Sequence, residues 1–379
     1  MVLGRPRRSP AWAAALSVAA LLVVVVVAVT RPDADPEPAA GPEAERSEAK
    51  ADAAASPPAT PASRPAQPLP ADAPVPGRVA LVTVAVANVW NEPGVARPVD
   101  APSLTNPVDV RGWVAGMSHE DKLWLVDRLV TQALYGEQVA VREVRGDWAR
   151  VAVTGQPSSL DPEGYPGWMP TVQLRAGGPT DTGRTAVVTK PQAALRDAGD
   201  PSRTLLEVSF NTRLPVVGSG GGTDVTVALP TGGRGLLAAT EVDVSTGGPR
   251  SATGPELVRS AQLFAGLPYL WAGTSSAGFD CSGFTAAVYG VHGIVLPRDA
   301  DDQAGHGAAV DRARLEPGDL LFYSTGPDQG SIHHVSMYVG NGMMIQAPAT
   351  GKTVETVPVD TPQYARQFWG ARRYLPGGA

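Results

Sequence analysis

The sequence predicts an α+β protein in which two small β-barrel domains precede a domain of helices packed on an antiparallel sheet. Two observations lead to this fold class. Short alternating apolar runs separated by Gly and Pro fill residues 78–246, which is typical of small barrels. From residue 254 onward, two helix patterns are followed by strand patterns. An apolar segment and a Pro-rich stretch come before these three domains.

The composition excludes one class of protein and draws attention to one side chain. The chain has 379 residues, 43% of them apolar, and a formal net charge of −6, which argues against a nucleic-acid partner. Its one cysteine, Cys281, rules out an internal disulfide. An unpaired Cys is either a small buried apolar side chain or a reactive thiol.

Residues 1–30 are predicted to be a signal peptide or a transmembrane anchor. Arg5, Arg7 and Arg8 precede an apolar run over residues 16–29. No small-residue cleavage site follows this run, which favours an anchor over a cleaved signal. We therefore expect a membrane partner for this segment and an extracytoplasmic location for the rest of the chain.

Residues 31–77 are rich in Pro, Ala, Asp and Glu and contain almost no large apolar side chain. Such a segment cannot bury enough apolar surface to fold, so we predict a disordered linker. At about 3.1 Å per residue it could span on the order of 100 Å.

The first predicted barrel covers residues 78–176. Residues 79–90 have the pattern of one long strand or of a strand pair, and residues 138–153 have the pattern of a hairpin. Residues 118–134 have apolar side chains at helical spacing, and Ser118 and Asp121 have the spacing of a capping box. We therefore predict a helix inserted into this domain.

The second predicted barrel covers residues 183–246. Strands are expected near residues 185–189, 204–210, 224–229 and 236–244.

The third domain is predicted over residues 254–376, with helices at 255–266 and 282–289. This places Cys281 at a helix N-terminus, where free amides and the helix dipole favour an anion. We therefore expect the pKa of the thiol to be lowered, which would make it a nucleophile.

A hairpin predicted over residues 333–348 supplies the partners of that nucleophile. Its turn brings Gln346 nearly opposite His334. A Cys-His pair needs a third polar group that fixes the imidazole tautomer, and Gln346 could serve. Two alternatives remain: a buried core Cys with surface histidines, or a metal site. The four histidines of this domain lack a recognised ligand spacing, so no metal or other cofactor is expected; they are His292, His306, His333 and His334.

Residues 255–375 resemble the NlpC-type cell-wall peptidases, which are papain-like enzymes. The matching strings are PYLWAG, FDCSGF, LPRDADDQ, PGDLLFY, HHVSMYVGNGMMIQAP and WGARRYL. The resemblance implies a catalytic triad of Cys281, His334 and Gln346. It also implies substrate-binding residues, with Tyr269 near the oxyanion: Asp280, Ser282, Tyr269 and Arg298. Ala300 departs from the Ser of many members, which affects fine specificity.

Residues 88–175 resemble the first SH3-like domain of γ-D-glutamyl-L-diamino-acid endopeptidases. The matching strings are RPVDAPSL, TQALYGEQV, GDW and GYPGWMP. In that subfamily the domain closes one end of the cleft, and an acidic residue and a Tyr bind the free amine of an N-terminal L-Ala. The resemblance assigns these roles to Asp100, or to the nearby Glu92, and to Tyr135, whose alternative is a core aromatic.

Together these features predict a cysteine endopeptidase that cuts the bond from γ-D-Glu to a diamino acid in peptidoglycan-derived peptides with a free N-terminal L-Ala. Three alternatives stay open: a general D,L-endopeptidase acting on intact peptidoglycan, a non-catalytic wall-binding scaffold, and acyl transfer on the same Cys-His centre.

Overall fold

The structure is a computed structural model that describes residues 71–219, 222–246, 252–325 and 331–375, all within one compact unit. The predicted anchor, residues 1–30, and most of the predicted linker lie outside the described residues. No helix within the described ranges is long and apolar enough to cross a bilayer. The end of the predicted linker is bonded to the first domain, since the Ala176 amide donates to the Asp72 carbonyl (2.8 Å).

The first domain is a seven-stranded antiparallel sheet. Its strands are β1 (Val79–Val82), β2 (Val86–Trp90), β3 (Leu129–Leu134), β4 (Gln138–Arg145), β5 (Trp148–Val153), β6 (Tyr165–Pro170) and β7 (Leu174–Ala176). They bond in the order β3-β2-β6-β5-β4-β1-β7. The predicted strand pair near residue 80 and the predicted β4–β5 hairpin are both present.

The connection from β2 to β3 holds the helical insertion of this domain. It contains a 3₁₀ helix (Pro98–Ser103), α1 (Val110–Gly116) and α2 (His119–Trp124). The predicted capping box of Ser118 and Asp121 begins α2. The prediction that this helix continues to residue 134 is wrong, because the end of the segment forms β3, which pairs with β2. Sheet pairing across the domain therefore overrides the local helical spacing.

The second domain is also a seven-stranded antiparallel sheet. Its strands are β8 (Thr185–Val188), β9 (Gln192–Asp197), β10 (Thr204–Ser209), β11 (Arg213–Ser219), β12 (Asp224–Ala228), β13 (Arg234–Ala238) and β14 (Val242–Ser245). The prediction missed β9 and β11 and merged β13 with β14. The order β10-β9-β13-β12-β11-β8-β14 equals that of the first domain, strand for strand.

Neither sheet closes into the predicted barrel. In the described residues, β3 and β7 form the two ends of the first sheet, and β10 and β14 form the ends of the second. A closed barrel needs a bonded pair between the first and last strands of the order. Each domain is therefore an open sheet, and we call them the first and second β domains.

The third domain packs helices on a six-stranded antiparallel sheet of order β17-β22-β18-β19-β20-β21. Its helices are α3 (Gly254–Gln262), α4 (Cys281–Val291), α5 (Ala300–Ala304) and α6 (Pro362–Gln367), with a 3₁₀ helix at Arg312–Arg314. Its sheet strands are β17 (Ala308–Val310), β18 (Leu320–Ser324), β19 (Ile332–Gly340), β20 (Met343–Gln346), β21 (Glu355–Pro358) and β22 (Phe368–Arg373), and a short hairpin is formed by β15 (Thr274–Ser275) and β16 (Gly278–Phe279).

The core of the third domain fixes α4 against the sheet. Phe284 and Val288 of α4 share one buried cluster with Val335 and Met337 of β19. Burying such side chains stabilises the fold by roughly 1.5–3 kcal/mol each. This packing holds the start of α4 beside β19.

Candidate active site

The N-terminus of α4 carries the candidate nucleophile. Asp280 is the N-cap, and its carboxylate accepts the Gly283 amide at 2.6 Å, so Cys281 is the first helical residue. Gly283 is required here, because a Cβ at that position would stand 2.1 Å from the Gly273 carbonyl oxygen. This close approach of loop and helix sets the position of the partly buried thiol.

His334 of β19 stands next to this helix tip. The Cys281 sulfur accepts hydrogen bonds from the backbone amides of Ser282 and Val335, and Val335 directly follows His334. The His334 side chain is 5% exposed. The backbone segment that carries His334 therefore contacts the sulfur of the predicted nucleophile.

Gln346 fixes the tautomer of His334. The ring Nε2 lies 2.7 Å from the amide oxygen of Gln346. The Gln346 amide nitrogen donates to the Glu355 carboxylate at 3.0 Å and to the Tyr364 hydroxyl at 2.7 Å, so its oxygen faces the imidazole. Nε2 therefore donates, and Nδ1 is left without a proton to act as the base.

The orientation of Gln346 depends on residues that sequence reasoning missed. Glu355 and Tyr364 carried no motif, because their role follows from side-chain contacts across neighbouring elements. The rings of Tyr364 and Tyr323 also flank His334, with centroid distances of 6.0 and 5.6 Å.

Burial sets the charge state of the resting pair. Desolvation raises the pKa of the Cys281 thiol to about 12, and the Asp280 carboxylate adds to this shift. Desolvation also lowers the pKa of His334 to about 4. The lowered thiol pKa expected from the helix N-terminus is therefore wrong for the resting structure, since burial outweighs the dipole. At neutral pH the pair is a neutral thiol and a neutral imidazole.

A buried ion pair lies directly behind the nucleophile. Arg298, 2% exposed, donates to both carboxylate oxygens of Asp280 at 2.6 and 3.2 Å and to the Ser282 hydroxyl at 3.0 Å. Its Nε donates to the Thr131 hydroxyl of the first β domain at 2.9 Å. Both carboxylate oxygens of Asp280 are thus engaged by Arg298, and the role of Asp280 as a substrate contact stays a prediction.

Tyr269 lies near the thiol, as expected for a residue close to the oxyanion. It is 7% exposed, and burial raises its pKa, with the nearby Cys281 and Asp280 adding to the shift. The phenol therefore keeps its proton and remains a donor. Its role at the oxyanion stays a prediction.

Asp100 does not lie among the residues gathered around Cys281. Its carboxylate is fully buried and accepts from the Arg97 backbone amide at 2.8 Å and from the Trp113 indole at 2.9 Å. It caps the 3₁₀ helix of the insertion. Because its oxygens are engaged by these donors, its assignment as an amine ligand is corrected to a structural role.

Tyr135 also lies elsewhere. It follows β3, is 2% exposed, and packs in the core of the second β domain with Val188 and Leu214. Its assignment as an amine ligand came from the family resemblance. Since the segment over residues 118–134 ends as a strand, the side chain points into the neighbouring domain, and the core-aromatic alternative holds.

A different acid–tyrosine pair adjoins the Arg298 cluster. The Tyr165 hydroxyl of β6 donates to the Asp299 carboxylate at 3.0 Å. Arg298 lies 6.0 Å from the centroid of the Tyr165 ring. The Asp299 side chain is 34% exposed, and burial raises its pKa. Both residues stand in strings used for the resemblance, GYPGWMP and LPRDADDQ, but sequence reasoning chose Arg298, next to Asp299, and no residue of the string that contains Tyr165.

Comparison with known proteins agrees with this geometry. Residues 266–373 match the NlpC/P60 family, and residues 188–244 match the family described as YKFC SH3b2 domain. The chain is 43% identical to a γ-D-glutamyl-L-lysine dipeptidyl-peptidase of Bacillus cereus, over 78% of this chain and 91% of that protein. It is 38% identical to the protein of the same name from Bacillus subtilis, over 77% and 97%.

A solved structure is also similar to most of the chain. The crystal structure of an NlpC/P60 family protein from Bacillus cereus superposes with a TM-score of 0.75 at 42% identity, covering 79% of this chain and all of that one. The identity and the coverage of these relatives, together with the match over the third domain, place this chain in the NlpC/P60 family as a cysteine peptidase.

Proposed function

We propose that this peptidase hydrolyses the bond between γ-D-glutamate and the following diamino acid in peptidoglycan peptides that begin with a free L-Ala. Relatives named γ-D-glutamyl-L-lysine dipeptidyl-peptidases support the bond and the substrate class. The observation that carries the free-amine preference is the Tyr165–Asp299 pair beside the Arg298 cluster.

The catalytic residues act as nucleophile, base and orienting group. Nδ1 of His334 accepts the thiol proton as the Cys281 sulfur attacks the γ-carbonyl carbon. The imidazolium then protonates the leaving amine while the C–N bond breaks, and water hydrolyses the thioester. Because both groups start neutral, charge develops only along the reaction, and Gln346 stabilises the imidazolium through its amide oxygen.

Donors near the sulfur would stabilise the oxyanion of the tetrahedral intermediate. The backbone amide of Cys281 and the protonated Tyr269 hydroxyl are the proposed donors. Removal of such a donor typically costs about 100- to 1000-fold in kcat.

The proposed amine site is Asp299 with Tyr165. The Asp299 carboxylate is partly exposed and has one hydroxyl donor, and its nearest Arg298 nitrogen is 4.0 Å away. It can therefore take an ammonium more readily than Asp280, whose oxygens are both engaged. A partly buried carboxylate that binds an ammonium disfavours a blocked N-terminus, because the acyl group removes the charge.

A matched pair of peptides tests this proposal. The full chain is assayed on L-Ala-γ-D-Glu-diaminopimelate and on the same peptide N-acetylated. We expect kcat/KM on the acetylated peptide to be lower by about 100-fold, the scale of one lost charge-assisted hydrogen bond. Equal rates on the two peptides would remove the free-amine preference and favour a general endopeptidase.

Variants at the amine site identify the responsible carboxylate. Asp299→Asn should reduce the ratio of the two kcat/KM values to near one, because the amide carries no charge. Asp301→Asn, an exposed carboxylate on α5, is the matched control and should keep the ratio. An unchanged ratio in Asp299→Asn would place the amine elsewhere.

We further propose that the peptidase acts outside the cytoplasm. The apolar run behind Arg5, Arg7 and Arg8 supports export. Protease added to intact cells should degrade the chain while sparing a cytoplasmic marker. Protection equal to that of the marker would contradict this location.

A further inference from the structure

A cavity of about 430 Å³ lies where the first and second β domains meet the catalytic domain. Cys281, His334 and Gln346 are not among its described lining residues. One wall is α4 itself, through Gly283, Ala286 and Gly290. This junction cavity has the size of a small-molecule site and is separate from the catalytic centre.

One carboxylate in the wall of the junction cavity is incompletely partnered. Oε2 of Glu137 accepts the Leu134 amide at 3.0 Å and lies 3.5 Å from the amide nitrogen of Gln156. In the described part of the chain, Oε1 has no hydrogen-bond donor. It faces Gly155, at which a Cβ would stand 3.9 Å from this oxygen. An under-solvated carboxylate of this kind is stabilised by an added cationic donor.

The ionisation of Glu137 agrees with this position. Burial raises the pKa of its carboxyl from 4.5 to about 7, although the positive charge of Arg213 acts in the opposite direction. The interactions that lower the pKa of the Glu137 carboxyl therefore do not offset its burial. Other acids of this protein have partners that keep their pKa low.

The other charges in the wall have partners of their own. Arg213 donates to the Gly290 carbonyl and to the Asn211 amide oxygen. Arg298 donates to Asp280 and Ser282. The remaining wall includes a set of apolar side chains, namely Pro179, Pro215, Ala286, Ala287, Val295 and Leu296.

We propose that the junction cavity binds a small molecule with a primary ammonium on a short aliphatic stem. The ammonium donates to Oε1 of Glu137, and the stem lies along the apolar wall formed by α4 and the two prolines. The site is a binding site, and no bond is made or broken in it.

Binding of n-pentylammonium to the full chain tests this proposal by isothermal titration calorimetry at pH 8. We expect a saturable site that persists in Asp299→Asn, which lacks the proposed amine site for the substrate, with affinity at least about tenfold higher than for n-pentanol, which matches the stem but carries no charge. Equal affinity for the alcohol would reduce the site to an apolar cavity. Absence of saturable binding would overturn the proposal.

Two variants locate the site. Glu137→Gln should lose at least about tenfold in affinity, whereas Glu207→Gln, at an exposed position, should bind as the parent does. Gly155→Leu should block binding by filling the space before Oε1, where a Cβ meets no closer atom. Each variant is first compared with the parent by thermal melting. Binding retained in both folded variants would contradict the assignment to Glu137.

Discussion

The first and second β domains have the same strand order, yet they bond to different residues of the catalytic domain. The first contributes Thr131 and Tyr165, which bond to Arg298 and Asp299 beside the nucleophile. The second contributes Ser209 and Arg213, which bond to Ser276 and to the Gly290 carbonyl near the far end of α4. Two domains of the same topology therefore make different hydrogen bonds to the catalytic domain. The residues at each contact, and not the shared fold, determine these bonds.

The connection between the second and third strands differs most between the two domains. In the second β domain a turn joins β9 to β10, whereas in the first β domain residues 91–128 form a helical insertion. Asp100 and Arg97 hold this insertion together, with Arg97 also bonding to Asp121 at 2.9 Å. The insertion extends the first domain without changing its sheet.

The largest effect is expected at the link between the first β domain and the helix tip. Arg298→Met should lower the free energy of unfolding by about 3–5 kcal/mol, because it leaves the buried Asp280 carboxylate without its cation. Chemical denaturation measures this loss. Arg142→Met, in a partly exposed ion pair of the first β domain, should cost less than about 1 kcal/mol. A similar small loss for both variants would show that this link contributes little.

A smaller effect is expected at Tyr165. Tyr165→Phe removes the hydroxyl donor of Asp299, so KM for free-amine peptides should rise by about tenfold, with kcat within about twofold. Tyr338→Phe, in a hairpin of the catalytic domain, is the control and should leave KM unchanged. A fall in kcat alone would assign Tyr165 to the chemical step instead of to substrate binding.

The pH dependence should separate the base from the amine site. Activity should be lost as pH falls through about 4, because His334 becomes protonated and can no longer act as a base. Above about pH 8 kcat/KM should fall as the α-amino group of the substrate loses its proton. In Asp299→Asn the alkaline fall should flatten while the acid limb stays. An alkaline limb unchanged by this variant would contradict the role of Asp299.

A loss of stability without a change in specificity is expected in the second β domain. Ser209→Ala removes the acceptor of the buried Ser276 amide (2.9 Å), so the free energy of unfolding should drop by about 1–3 kcal/mol. The preference for free over acetylated peptide should not change, since this contact lies away from Asp299. A changed preference would mean that both β domains control specificity.

Local patterns in the chain, together with the family resemblance, pointed to the candidate catalytic residues. The helix start at Cys281 and the hairpin from His334 to Gln346 follow from caps, periodicity and a turn, which are properties of neighbouring residues. Even there, the register pairs Met337 with Ile345, so Gln346 reaches His334 diagonally and not from the opposite position.

The other contacts of the site, and the pKa of the thiol, depend on segments that are far apart in the sequence. Tyr165 and Asp299 are 134 positions apart, and Thr131 and Arg298 are 167 apart, so no periodicity links them. Packing within the catalytic domain also desolvates Cys281 and His334, which reverses the expected shift in the pKa of the thiol. Spacing along the chain indicates which residues are neighbours within one helix or hairpin. The hydrogen-bond partners of a side chain, and its loss of solvent, depend on which surfaces pack together after folding.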